Sequence, residues 1–376
     1  MAGIYIHIPF CKQACSYCNF HFSTSLKNKS NVIDALNKEI LTTPLFTGKP
    51  EKIDTIYFGG GTPSLLSADE LKGIFKTLRT TFEIDVNAEI TLEANPDDIN
   101  EPMLMQWLET GINRLSLGIQ SFSETELRWM NRAHNAVESL NSIDKIQKAG
   151  FTNFSVDLIY GSPLLTNDEL KKNTAIIFEK NIPHISCYAL TVEPKTLLDN
   201  QISKKISLPV DAEKQAAQFL LLMDLMKEGG YEHYEISNYA KPGMRSKHNS
   251  SYWQGKPYYG FGPSAHSFDG KNSRRWNIAN NALYVQSLLK DIIPFEEEIL
   301  TETQQLNEYI MTSLRTMEGL DLSAVRSRFG NKSYEILKSQ SRKYIDGKKL
   351  LEEDDKLILT NEGKLFADGI AADLFF

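Results

Sequence analysis

The chain has 376 residues, 41% apolar and 24% charged, the balance of a globular protein with one large core and room for a smaller domain. Its net charge of −7 gives no bulk electrostatic footprint for nucleic acid or an anionic membrane. No apolar run approaches the roughly 20 residues that span a bilayer, and the N-terminus lacks the basic flank and cleavage site of a secretion signal, so a cytoplasmic location is expected.

Through the first half, short apolar runs alternate with helical periodicity. Strands are predicted at Gly3–Ile8, Ile53–Phe58, Ala88–Leu92, Arg114–Gly118, Asn153–Asp157 and His184–Tyr188. Capping boxes open several of the helices between them: Ser67 with Glu70, Ser123 with Glu126, Asn135 with Glu138, and Thr166 with Glu169. Strand–helix alternation implies parallel pairing with right-handed crossovers. The notable polar residues fall at or just after strand ends, which favours a partial barrel over a doubly wound sheet. No Gly-x-Gly-x-x-Gly opens a helix, against a dinucleotide site.

A long helix is expected from Val210 to Glu228, with an apolar face of Ala217, Leu220, Leu221 and Met223–Leu225. The aromatic, Gly/Pro-rich stretch from Tyr231 to Trp276 reads as a long functional loop. From about Thr301 the pattern is three helices and a hairpin near Leu350–Thr360, a winged-helix outline. Three parts are expected: 1–230, a barrel with a cysteine loop; 231–300, an aromatic region closing it; and 301–376, the small domain. Basic residues of the last part, among them Arg326, Arg328, Lys332, Lys338, Arg342 and Lys343, read as a solvated face rather than a nucleic-acid footprint.

Three of the four cysteines crowd into Cys11-Lys-Gln-Ala-Cys15-Ser-Tyr-Cys18, just after the first strand. Thiolates are the soft ligands of iron–sulfur clusters, and a loop lets three of them converge. A zinc site completed by His7 or His21 is the alternative. Cys187 stands alone in an apolar stretch and reads as core packing. Gly59-Gly60-Gly61-Thr62-Pro63 follows the second strand, either as a tight turn or as a close backbone approach to a ligand. Glu93, Gln120 and Asp157 are expected to end strands three, four and five as a polar ring. Carboxylates suit an ammonium or ribose hydroxyls, and the donor fork of Arg132 suits a carboxylate.

The three-cysteine loop resembles that of the radical S-adenosylmethionine superfamily. The resemblance implies a [4Fe–4S] cluster held by Cys11, Cys15 and Cys18, whose open iron is chelated by S-adenosylmethionine, with Tyr17 against adenine. Tyr5-Ile-His-Ile-Pro-Phe-Cys11, Phe58-Gly-Gly-Gly-Thr-Pro63, Leu117-Gly-Ile-Gln-Ser121, Asn131-Arg-Ala-His134, Asp157-Leu-Ile-Tyr-Gly161 and Gly260-Phe-Gly-Pro-Ser-Ala-His-Ser267 narrow it further. Together they resemble the oxygen-independent coproporphyrinogen III oxidase-like family, over most of the chain. That resemblance implies an incomplete (β/α)6 barrel with a small C-terminal domain. It also implies S-adenosylmethionine contacts from Tyr5, Gly60, Gly61, Thr62, Glu93, Gln120, Arg132, Asp157 and Ala189, with His266 as a neighbour.

Two departures separate the chain from the oxidase branch. Phe20 stands where that branch has a fourth cysteine, and with the first strand expected near residue 3 the branch's N-terminal extension is expected to be missing. His248-Asn249-Ser-Ser-Tyr252-Trp253 matches instead the H-N-x-x-Y-W motif of the family's haem-chaperone branch. The resemblance implies haem as cargo, handed to an acceptor such as a membrane respiratory complex. Chemically, His248 is a candidate haem ligand, with Asn249, Tyr252 and Trp253 around it. The alternative function is radical oxidation of a tetrapyrrole, for which the sequence identifies no electron donor. His7 is expected to line the barrel, and His134 to be exposed.

Overall fold

The computed structural model describes residues 1–376. The first half alternates as expected: β1 (Ala2–Ile8), α1 (Lys29–Thr42), β2 (Lys52–Gly60), α2 (Ala68–Thr81), β3 (Glu83–Ala94), α3 (Glu101–Thr110), β4 (Arg114–Gln120), α4 (Glu124–Trp129), α5 (Ala136–Lys148), β5 (Phe154–Tyr160), α6 (Asn167–Glu179) and β6 (His184–Ala189). β1 to β6 pair in parallel, in sequence order. The result is an incomplete barrel of six strand–helix units.

The period of two in these strands separates two environments. Ile4, Ile6, Ile8, Phe58, Leu92, Leu115, Leu117, Val156 and Ile185 point outward into one cluster of 50 buried apolar residues shared with the helices, and Cys187 packs there too. The alternate residues point into the barrel and are polar: Tyr5 and His7 of β1, Thr55 and Tyr57 of β2, Glu89 and Glu93 of β3, Ser116 of β4, Asp157 of β5. His7 lines the lumen as expected. Asp157 lies in the middle of β5 rather than at its end.

Full capping boxes form at Ser67, Asn135 and Thr166. Ser123 makes none, because Glu126 is buried and accepts hydrogen bonds from the Ser121 and Ser162 hydroxyls instead. His134 is buried, not exposed, with Nε2 3.1 Å from the Ile119 carbonyl oxygen. Beyond β6 come α7 (Leu197–Ser203) and α8 (Ala212–Glu228). The buried face of α8 is Gln218, Phe219, Leu222, Met223 and Met226, while Ala217 and Leu220 are exposed. Gln218 sets that rotation: its side chain accepts from Gly161 N–H and donates to the Leu165 carbonyl.

The stretch expected as a loop is mostly regular structure. It holds β7 (Glu232–Glu235), β8 (Asn238–Ala240), α9 (Lys247–Trp253), β9 (Tyr258–Phe261), β10 (His266–Phe268) and β11 (Ser273–Asn277), followed by α10 (Asn281–Leu289) and β12 (Phe295–Ile299). β8 and β7 extend the sheet beyond β6, while β9, β10, β11 and β12 extend it beyond β1, to twelve strands. β12 forms one edge with the sequence Phe295-Glu-Glu-Glu-Ile299. Gly260 makes the turn back possible, since a Cβ there would fall 1.9 Å from the His266 carbonyl oxygen. Buried Glu39 of α1 ties this extension down, accepting from Gly262 N–H (2.8 Å), Asn277 Nδ2 (2.6 Å) and the Tyr284 hydroxyl (2.6 Å).

The remainder holds α11 (Glu302–Leu314), β13 (Leu320–Asp321), α12 (Leu322–Asp346, two helices meeting at Gly330), β14 (Leu350–Glu353), β15 (Lys356–Leu359), α13 (Asn361–Lys364) and α14 (Ala367–Asp373). It has its own cluster of 15 buried apolar residues. Its basic residues are largely occupied: Lys338 pairs with Glu352, Lys343 with Asp373, and Arg326 lies over the Tyr334 ring. No helix is long and apolar enough to cross a membrane.

Candidate cofactor site

A cleft of about 420 Å³ opens at the C-terminal ends of the barrel strands. Cys11, Cys15, Tyr17, Cys18, Gly60, Gly61, Thr62, Glu93, Gln120, Arg132, Asp157 and Ala189 all line it. Residues up to 178 positions apart in the chain are therefore brought together, because every parallel strand delivers its following loop to the same end.

The cysteine loop is clamped from the segment after α4. Asn131, held at φ 55°, donates through Nδ2 to the Ala14 carbonyl (2.8 Å), and Gln13 Nε2 donates to the Asn131 carbonyl (2.9 Å). Arg132 Nη1 donates to Cys15 Sγ (3.1 Å), while Nη2 donates to Asn95 Oδ1 (2.7 Å) and the Gly118 carbonyl (2.6 Å). On the far side, Lys12 reaches Asp97 and Asp98. Asn95 and Asp98 belong to none of the motifs read from the sequence, whereas Asn131 opens one of them without a role assigned to it. The signal for the first two is positional, for Asn95 lies one residue and Asp98 four residues past the end of β3.

Gly61 passes under the loop, its N–H donating to the Ile8 carbonyl at 2.9 Å; a Cβ there would meet Phe10 backbone at 2.6 Å. Gln120 ends β4 at φ 68°, a left-handed conformation rare for a side-chain residue and common where strain serves a site. Glu93 accepts from the Tyr57 hydroxyl at 2.8 Å. Burial pushes the Glu93 carboxyl up to about 7 against that donor, and pushes Asp157 up to about 6 against Ser186 and Arg114.

Burial also pushes the Cys11 thiol up to about 11 and raises Cys18, so these two thiols are neutral in the cluster-free loop. No three His, Cys, Asp or Glu side chains converge closely enough to hold one metal ion. Of the two candidate fourth zinc ligands, His7 has both ring nitrogens engaged, by the Tyr5 hydroxyl (3.2 Å) and the His21 carbonyl (2.9 Å), and His21 has its Nε2 2.8 Å from Asn281 Oδ1. Three thiols around a wide cleft suit a cluster better than a single ion. Arg132 Nε is buried without a partner, a donor left over in the cleft wall.

Other expected site residues lie away from the cleft. Tyr5 is one layer below it, packed on Tyr57, and His266 is on β10, outside the lining. His248 plugs the opposite end of the lumen. Its Nδ1 lies 2.9 Å from Thr55 Oγ1, its Nε2 2.9 Å from the Tyr252 hydroxyl, and its N–H donates to Glu89. It is 1% exposed and stacked on Tyr57. An iron ligand needs a free nitrogen lone pair, and His248 presents none here. Trp253 faces away, toward Arg315, whose guanidinium lies 5.3 Å above its ring, and Asn249 is held in the first turn of α9 by the Ser246 cap.

An open parallel barrel with a three-cysteine loop and a glycine turn at its C-terminal rim is the architecture of the radical S-adenosylmethionine proteins. The Radical SAM superfamily matches residues 5–174 and the HemN C-terminal domain residues 300–366. The structure superposes on coproporphyrinogen III oxidase (HemN) from Escherichia coli with TM-score 0.85 and 23% identity, over 100% of this chain and 90% of that one. Heme chaperone HemW of Bacillus subtilis is 32% identical over 98% of both chains, and that of Escherichia coli is 30% identical over 98% of this chain and 96% of its own. The chain belongs to the haem chaperone HemW family.

Proposed function

We propose that the chain is a haem chaperone of the cytoplasm. It holds a [4Fe–4S] cluster through Cys11, Cys15 and Cys18, binds S-adenosylmethionine beside it, and carries haem to an acceptor protein, a membrane respiratory complex being the favoured one. The observation that carries the cofactor reading is the cleft itself, where three thiols and no fourth share a rim with Gly60, Thr62, Glu93 and Arg132. The haem reading rests on kinship with proteins named for that role over nearly the full length.

When bound, the cluster and S-adenosylmethionine together supply reductive cleavage of a sulfonium. The chain's own residues would position and shield that pair. Arg132, fixed by Asn95 and Gly118, holds the sulfur of Cys15 and keeps Nε for a carboxylate. Glu93 and Asp157 offer carboxylates to cationic or hydroxyl groups, and the backbone of Gly60 and Gly61 allows close approach.

The test is haem retention and transfer. Anaerobically reconstituted protein is expected to keep near-stoichiometric haem through desalting and to pass it to an apo-acceptor. The intact cleft also fits a second reading, radical oxidation of a tetrapyrrole. No retention, together with turnover of coproporphyrinogen III, would replace the first reading by the second.

A further inference from the structure

Haem ligation by histidine needs an accessible imidazole with a free nitrogen, beside an apolar surface that can face a flat macrocycle. The chain has seven histidines, and their hydrogen bonds sort them. His7 and His248 have both ring nitrogens engaged, and so does His233, through the Ile236 carbonyl and Lys364. His134 and His184 are buried, each with one nitrogen taken. His21 is half-buried with Nε2 2.8 Å from Asn281 Oδ1. His266 alone is exposed with neither ring nitrogen in a hydrogen bond.

Its surroundings are aromatic. The ring stacks on Trp276 with centroids 6.0 Å apart. Antiparallel pairing of His266 with Trp276 and of Phe268 with Arg274 puts these four side chains on one face of β10 and β11. Phe268 meets Tyr258 of β9 at 6.4 Å, and Tyr258 meets Tyr252 edge-on at 4.6 Å. Three strands at a spacing of about 4.8 Å give this face a breadth of roughly 10 Å. Trp276, Phe268 and Tyr258 are all half-buried, so their outer surfaces are open.

We infer that His266 is the nitrogen donor to haem iron, and that Trp276, Phe268 and Tyr258 seat the macrocycle on the β9–β11 face. The inference rests on the haem-chaperone reading and gives it a site. His7, whose ring lies against Gly60 of the cleft wall, is also close enough to His266 for their charges to interact, which sets the face beside the cofactor cleft. Tyr252 of the His-Asn-x-x-Tyr-Trp motif then serves by backing Tyr258, and His248 by holding Tyr252 in place. Arg274 is already paired with Glu298 and Glu308, so the propionates are left to solvent. An exposed edge suits a carrier that must release its cargo.

Ferric haem is titrated into anaerobically reconstituted full-length wild type and His266→Ala, each then desalted, with and without added imidazole. The expected result is retention by wild type, loss by the variant, and recovery of both retention and the wild-type Soret band with imidazole. Retention by His266→Ala with an unchanged Soret band overturns the ligand assignment and leaves the chaperone reading standing. So does loss that imidazole fails to restore, because a missing ligand is replaceable and a damaged surface is not. No retention by wild type overturns the chaperone reading, and the inference falls with it.

Discussion

The two faces of the barrel strands solve different problems with alternate residues of the same segments. Outward, Ile4, Ile6 and Ile8, or Leu115 and Leu117, are buried among helices and carry the hydrophobic stabilisation. Inward, Tyr5 and His7, or Ser116 and Gly118, satisfy one another or line the cleft. Stability and chemistry therefore sit within one residue of each other, yet depend on different atoms. A substitution on one face should leave the property of the other face intact.

The largest expected effect tests the rim. Cys15→Ala should abolish reconstitutable iron and sulfide while the apoprotein keeps its urea midpoint, since Cys15 is half-buried and outside the core. A full four-iron complement in the variant would place the ligand elsewhere. Next is the outward face. Leu117→Ala should lower stability by about 2–5 kcal/mol, read from urea unfolding, with S-adenosylmethionine affinity of the folded fraction preserved. Lost affinity without lost stability would break the division between faces.

The smallest effect is a pH dependence of the inward face. Below its pKa a carboxyl is neutral and offers no charge to a cationic ligand. S-adenosylmethionine affinity of the reconstituted protein should therefore rise with pH through about 6 and about 7, as Asp157 and Glu93 ionise. Glu93→Gln should remove the upper part of that rise in equilibrium dialysis, and an unchanged profile would exclude Glu93. The same raised values act oppositely on folding. The unfolded chain gives up these protons at lower pH, so their contribution to stability is present below the usual carboxyl range and fades as pH climbs toward 7.

The strands were legible because their outward faces are strict and strongly apolar. Most of the cleft was legible because motif residues follow strand ends, where a parallel barrel collects them. Three features escaped for definite reasons. In Phe219-Leu-Leu-Leu-Met223 the unbroken apolar run carries no phase, and a buried glutamine sets the rotation of α8. Glu126 has the spacing of a capping residue, but two serines from separate loops draw it inside. β7 to β11 are three to five residues long, too short for alternation to show against aromatics and turns. The case of His248 is different. Residue type made it a candidate ligand, and only its two hydrogen-bond partners, Thr55 and Tyr252, reveal it as a plug.

The unclosed sheet leaves β12 with unpaired backbone groups, a template on which another chain could grow a strand. Glu296 and Glu297 run along that strand beside Glu298, whose charge Arg274 already meets. Two such edges approaching one another bring like charges together, so self-templated polymerisation is opposed electrostatically without burying the edge. That guard holds only while the glutamates are ionised and weakly screened; strong acid or high salt is where this fold becomes prone to sticking to itself.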